Sequence, residues 1–203
     1  MGLLGDRKRG LLFVVSAPAG TGKTTLVEKL SAEFSSVVKS ISCTTRAPRK
    51  GEINGVDYHF ISEAEFEEKI AEGAFLEYAK VFGTAYYGTL ASDVERQLES
   101  GNDLFLVIDT QGAMWVKKRL DALLIFIAPP SIDVQRQRLT LRQTEPAGVI
   151  ENRLACAQRE MESADKYDYY IVNDELMVAY AVLRSILIAE RHSVKNNLLM
   201  DGE

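Results

Sequence analysis

Four short apolar runs punctuate the chain: Leu11–Val15, Leu104–Ile108, Leu123–Ile127 and Tyr169–Val172. Each is bounded by Gly, Asp or Pro. A strand buried on both faces reads this way, whereas a strand with one wet face alternates. Between the runs, apolar positions return every three or four residues. Thr24–Phe34 sets Leu26, Val27 and Leu30 on one side, and Ser131–Leu141 and Val149–Glu162 follow the same rule. Strands alternating with helices predict a parallel sheet joined by crossover helices, the α/β class.

Two stretches break the alternation. Residues 40–89 are rich in Thr, Arg, Gly and Tyr, with strand-like pieces at Tyr58–Ile61 and Phe75–Ala79. Ser62 followed by Glu65 forms a capping box, so a helix starts near Glu63. This stretch reads as an inserted α/β lobe. Between Arg142 and Gly148, the residues Gln143, Thr144, Pro146 and Gly148 interrupt two arginine-bearing helices. That interruption, within about 140–155, reads as a small lid. The residues after His192 are expected to fray as a flexible tail.

Composition narrows the partners. With 46% apolar and 26% charged residues, the 203-residue chain has the balance of an ordinary globular protein. A net charge of −5 argues against a bulk nucleic-acid binder, so any anion site is a local basic cluster. Cys43 and Cys156 form no metal-spaced pair and suggest a reducing compartment, the cytoplasm. Leu11–Val15 is too short for a signal-peptide core or a membrane span, so no membrane partner is expected. The oligomeric state is left open.

The first chemical motif follows the first strand directly: Ala17, Pro18, Ala19, Gly20, Thr21, Gly22, Lys23, Thr24, Thr25. A buried strand, a glycine-bearing turn and Gly-Lys-Thr opening a helix make a phosphate-binding loop. Gly20 and Gly22 let the chain curl and aim N–H groups inward, where the helix N-terminus adds its positive end. Lys23 can reach the β- and γ-phosphates, and Thr24 can offer its hydroxyl to Mg²⁺. The usual pattern has glycine where this chain has Ala17. A second motif lies at 42–60, S-C-T-T-R-A-P-R-K-G-E-I-N-G-V-D-Y-H-F. Arg46 and Arg49 flank Pro48, and two guanidinium forks can hold one phosphate, with a hydroxyl from Tyr58. Two separate phosphate sites imply two phosphorylated substrates.

On these motifs the chain resembles the guanylate kinases from about Arg9 to Arg191. The 42–60 signature carries the resemblance, together with V-F-G…Y-Y-G-T (Val81–Thr89), I-D-x-Q-G (Ile108–Gly112), P-P-S (Pro129–Ser131) and V-N-D (Val172–Asp174). That family's loop commonly begins with alanine. The resemblance implies a P-loop three-layer α/β fold with a parallel sheet, a GMP-binding insert and a lid. It implies transfer of a phosphoryl group from ATP to GMP with Mg²⁺. Arg46, Arg49, Tyr58 and Tyr87 match the residues that hold the GMP phosphate, and Ser42, Glu77, Thr89 and Asp109 match those that read guanine. Guanine offers N1–H and an exocyclic NH₂ side by side, for which a carboxylate is the natural acceptor. Asp109 could alternatively be a magnesium carboxylate. Arg142 and Arg153 match the family's lid arginines, which act with Lys23, while Arg138 is a weaker third candidate. The departures are Val107 for a second acidic residue, Gln143 for a lid glycine, and one extra residue at Thr84-Ala85.

Overall fold

The computed structural model describes residues 3–5, 7–81, 83–141 and 147–198, with the backbone alone over 147–150 and at 198. In chain order the first elements are β1 (Leu12–Ser16), α1 (Lys23–Glu33), β2 (Val37–Lys39), β3 (Cys43–Thr44), β4 (His59–Phe60) and α2 (Glu63–Ala71). There follow β5 (Phe75–Val81), β6 (Ala85–Leu90), α3 (Ala91–Glu99), β7 (Asp103–Val107), α4 (Thr110–Lys117) and β8 (Leu123–Ala128). The last are α5 (Ile132–Leu141), α6 (Ala147–Met161), β9 (Tyr169–Val172), α7 (Leu176–Arg191) and α8 (Val194–Leu198).

The expected parallel sheet is present, in the order β2-β7-β1-β8-β9 with every pair parallel. Its layers follow from the parity of β1. Phe13 and Val15 face Leu26, Val27 and Leu30 of α1 and Leu183 and Leu187 of α7. Leu12 and Val14 face the opposite way, onto Val94 and Leu98 of α3 and Ala113 and Val116 of α4. A strand covered on both sides has no polar face to alternate with, which is why the runs read as continuously apolar. Phe13 and Phe105 stack across β1 and β7 with ring centroids 4.5 Å apart.

Residues 43–90 build a second sheet, ordered β4-β3-β6-β5, with its own small core of Cys43, Phe66 and Phe75. Phe66 of α2 stacks on Phe75 and on Tyr86. The helix starts at Glu63 as expected, and the Ser62 hydroxyl accepts from Glu65 N at 3.1 Å, one half of the capping box. Gly88 has no room for a side chain, since a Cβ would sit 2.9 Å from Phe75 and 3.0 Å from Phe66.

Two expectations are corrected. The strand expected at Tyr58–Ile61 shrinks to β4, because Tyr58 bridges Asn54 of the preceding turn and only His59 and Phe60 pair with β3. The tail does not fray at once: residues 194–198 form α8, and Asn196 Nδ2 donates to Glu190 Oε2 at 2.7 Å. Residues 142–146, the centre of the expected lid with Arg142 and Gln143, lie outside the described residues.

Candidate active site

The phosphate loop runs from the end of β1 to the start of α1, at the carboxyl edge of the sheet where open α/β sheets take ligands. Gly20 and Gly22 have φ of 84° and 86°, a left-handed region costly for a side chain. Gly22 is also the N-cap of α1, so the N–H groups after it open the helix with no side chain over them. Ala17 and Pro18 are buried under the loop, and the Thr21 hydroxyl donates to Pro18 O at 2.8 Å. Thr24 and Thr25 are exposed, while Lys23 is half-buried and its Nζ lies 3.3 Å from Ala17 O.

Two buried amides fix the loop from behind. Gln135 of α5 donates to Ala19 O at 2.9 Å, and Asn173, just after β9, donates to Thr21 O at 2.7 Å. Asn173 comes so near that a Cβ on Gly22 would lie 2.8 Å from its Nδ2. Carbonyls held outward leave the neighbouring N–H groups turned toward the concave side. Arg138 is part of the same brace: it donates to the carbonyls of Asn173 and Asp174 at 2.8 and 3.1 Å. The sequence alone gave no sign of this role for Gln135, whose partner lies 116 residues away.

In the inserted lobe, Arg46, Tyr58 and Tyr87 come together. Arg46 Nε donates to Tyr87 OH at 3.0 Å, and its guanidinium lies 5.5 Å from the Tyr58 ring centroid. The Tyr58 and Tyr87 rings meet edge-on at 5.9 Å, and burial pushes the Tyr58 phenol up from its ordinary range. Arg49 is exposed at the lobe surface. Glu52, six residues on from Arg46 in the same motif, grips its guanidinium bidentately with both contacts at 2.9 Å.

A second group forms where the lobe meets the main sheet. Glu77 and Thr89 face each other across the antiparallel β5–β6 pair, and the Thr89 hydroxyl donates to Glu77 Oε1 at 2.6 Å. Both side chains are almost wholly buried. Thr89 is thus not the N-cap of α3; Leu90 holds that position with no side-chain bond. Gly112 of α4 lies against the other oxygen: a Cβ there would be 2.7 Å from Glu77 Oε2. Burial raises the Glu77 pKa to about 7, Thr89 works against this, and nearby Asp109 adds to the rise. Asp109 follows β7 and caps α4, its Oδ1 accepting from Gly112 N at 2.8 Å. Ser42 lies next to β3 and is half-buried.

Glu160 is a residue sequence reasoning missed: it lies half-buried on α6. Burial raises Glu160 to about 7, with Lys23 lowering and Asp109 raising its pKa, so it lies in the field of the phosphate loop. Arg153 is half-buried on the same helix. Among the described residues no group of three His, Cys, Asp or Glu could hold a metal, and no helix is long and apolar enough to cross a membrane.

Comparison with known proteins agrees with this architecture. The family model described as "Guanylate kinase" matches residues 9–190. A guanylate kinase of Protochlamydia amoebophila is 59% identical over 197 residues, covering 97% of this chain and all of that protein. One from Psychrobacter arcticus is 48% identical and covers 92% of this chain and 89% of its own length. The crystal structure of guanylate kinase from Anaplasma phagocytophilum superposes with a TM-score of 0.74 at 33% identity, covering 93% and 89% of the two chains.

Proposed function

The chain belongs to the guanylate kinase family, and we propose on that premise how its own residues carry out the reaction ATP + GMP → ADP + GDP. The chain phosphorylates GMP; which residues do so is read from the geometry above.

The N–H groups from Gly20 to Thr24, braced by Gln135 and Asn173, cradle the phosphates of ATP, and Lys23 sets its charge against the β- and γ-phosphates. Ala17, Pro18, Ala19, Thr21 and Thr25 shape that cradle. The Thr24 hydroxyl, exposed at the start of α1, would hold Mg²⁺ together with the phosphates, an arrangement that needs no cluster of protein carboxylates. When bound, the ion neutralises phosphate charge. Arg46, Arg49, Tyr58 and Tyr87 hold the GMP phosphate, and Glu77, Thr89, Ser42 and Asp109 read the base. Asp109 uses Oδ1 for its helix cap, so Oδ2 is the oxygen assigned to guanine. Arg153, with Arg142 of the lid, stabilises the charge that moves between the two nucleotides.

Transfer of this kind needs positioning and charge neutralisation more than covalent help. The observation that supports the reading most is the buried Glu77–Thr89 pair beside Asp109. A buried carboxylate next to a hydroxyl offers an acceptor to adjacent N1–H and NH₂ donors, which adenine lacks. The free thiols Cys43 and Cys156 fit a reducing compartment, and we place the enzyme in the cytoplasm. The test is ADP release with ATP and Mg²⁺ in the presence of GMP, AMP, CMP, UMP or no acceptor. Activity confined to GMP is the expected result. Equal activity with AMP would sink the assignment of the base-reading residues.

A further inference from the structure

Arg46 reaches the acceptor site already engaged. A guanidinium has five N–H bonds. Nε–H goes to Tyr87 OH at 3.0 Å, NH1 to Ala47 O at 2.7 Å and to Glu52 Oε2 at 2.9 Å, and NH2 to Glu52 Oε1 at 2.9 Å. Four of the five are therefore committed, and a single NH2 hydrogen remains for a phosphate.

Glu52 is itself held from a second side. Its Oε2 also accepts from Arg49 N at 2.6 Å, and its own N–H donates to Arg49 O at 3.1 Å. One carboxylate thus ties the side chain of one arginine to the backbone of the other. The rings of Tyr58 and Phe60 lie 5.5 and 5.7 Å from the Arg46 guanidinium and confine it further. The hydrogen bonds from Arg46 hold the Glu52 carboxyl below its ordinary range, so it stays ionised at neutral pH. The need for such a tie is electrostatic. Two guanidiniums three residues apart repel each other, and β3 and β4 beside them are only two residues long.

We propose that Glu52 is a positioning residue of the acceptor-phosphate site: it fixes the Arg46 guanidinium relative to the Arg49 turn before the phosphate arrives. This rests on the reading of that site as the GMP site. Pre-organised donors lose less freedom on binding, so the tie strengthens phosphate binding although it neutralises one positive charge. With Arg46 balanced by Glu52, the net attraction for the phosphate comes from Arg49. Glu52 touches neither base nor phosphate and acts through Arg46.

The test measures equilibrium binding of GMP and of guanosine, which lacks the phosphate, to the wild type and to E52Q. Gln keeps one acceptor but turns an NH₂ toward a guanidinium that can only donate. The expected result is GMP binding weakened roughly 10–100-fold, the scale of a lost charge-assisted hydrogen bond. Guanosine binding should stay unchanged, which also reports an intact lobe, and KM for ATP should not move. In an R46Q background, E52Q should cost no further GMP affinity, because the two residues act as one unit. Tighter GMP binding by E52Q would overturn the proposal and make Glu52 a competitor for the phosphate. Equal losses for GMP and guanosine would reduce Glu52 to a fold-holding residue, and unchanged GMP binding would leave it no role. Wild-type protein that binds guanosine but not GMP would overturn the reading of the site itself.

Discussion

Thr89 donates its hydroxyl to Glu77 Oε1 at 2.6 Å from the neighbouring strand, and the β5–β6 register sets the two residues directly opposite each other. The bond does two things. It satisfies part of a carboxylate that burial would otherwise leave unsolvated, and it fixes the rotation of that carboxylate. Gly112 then determines what can approach Oε2, since the adjacent helix presents no side chain there. A carboxylate held this way has its acceptor direction set before any base arrives.

Burial holds Glu77 at about 7, well above its ordinary value near 4.5, so it takes up a proton in mildly acid solution. In the proposed role, Glu77 accepts from guanine in its ionised form. Affinity for guanosine should therefore fall as pH drops below about 7, approaching about tenfold per pH unit. Guanosine is the right probe because the GMP phosphate titrates in the same range. In Glu77→Gln the slope should vanish; a slope that survives would assign the titration to another group. Stability runs the other way. Between about 4.5 and 7 the folded state holds a proton that the unfolded chain has released, so stability falls as pH rises through that window and levels off above it. Glu160, also raised to about 7, adds a contribution of the same sign, so binding isolates Glu77 better than melting does.

The brace behind the phosphate loop predicts a split between the two substrates. Asn173→Ala removes the donor that holds Thr21 O, while the backbone carbonyl that Arg138 uses remains. KM for ATP should rise about 3–10-fold, the worth of one hydrogen bond, with KM for GMP unchanged. Steady-state kinetics with each substrate varied in turn checks this. Parallel rises in both constants would point to general loosening of the fold.

The far end of the sheet predicts stability without function. Arg191, the last residue of α7, places Nε 2.8 Å from Asp103 Oδ2, and both side chains are essentially inaccessible. Asp103 Oδ1 accepts from Leu11 N at 2.8 Å, tying β7 to the start of β1. Arg191→Ala removes the counter-charge in contact with a buried carboxylate, leaving the weaker attraction of Arg7, and should destabilise by about 3 kcal/mol. Urea unfolding measures the loss. Both KM values of the folded fraction should match the wild type, because the pair lies at the sheet end opposite the phosphate loop.

The sequence showed most where burial is uniform or a motif is local. The strands around Phe13, Phe105 and Ile125 were legible because a doubly covered strand has no polar positions. The loop at Gly20 and Gly22 was legible because its backbone demands glycine at fixed offsets. Edge strand β2 is three residues long with one buried position, too little pattern to detect. The extra residue at Thr84-Ala85 leaves the placement of Tyr86 and Tyr87 open in the sequence. In the fold Thr84 sits in the turn, Ala85 starts β6, and Tyr87 pairs with Thr44 and reaches Arg46. The brace made by Asn173 is invisible in the sequence, since its partner is 152 residues away and hydrogen-bond partners across the fold leave no local period. The pairing of Glu77 with Thr89 depends on strand register, which the pattern of their short lobe strands does not fix.

In the proposed function one buried carboxylate of the inserted lobe, Glu77, selects the base. The direct measurement is kcat/KM for GMP in Glu77→Gln against the wild type, with KM for ATP measured alongside. Gln turns a donor toward the donors of guanine, so kcat/KM should fall by about 10⁴-fold or more, as when a site built to bond one partner loses its match, while KM for ATP stays the same. A fall of no more than a few-fold would contradict the account and move base recognition away from Glu77.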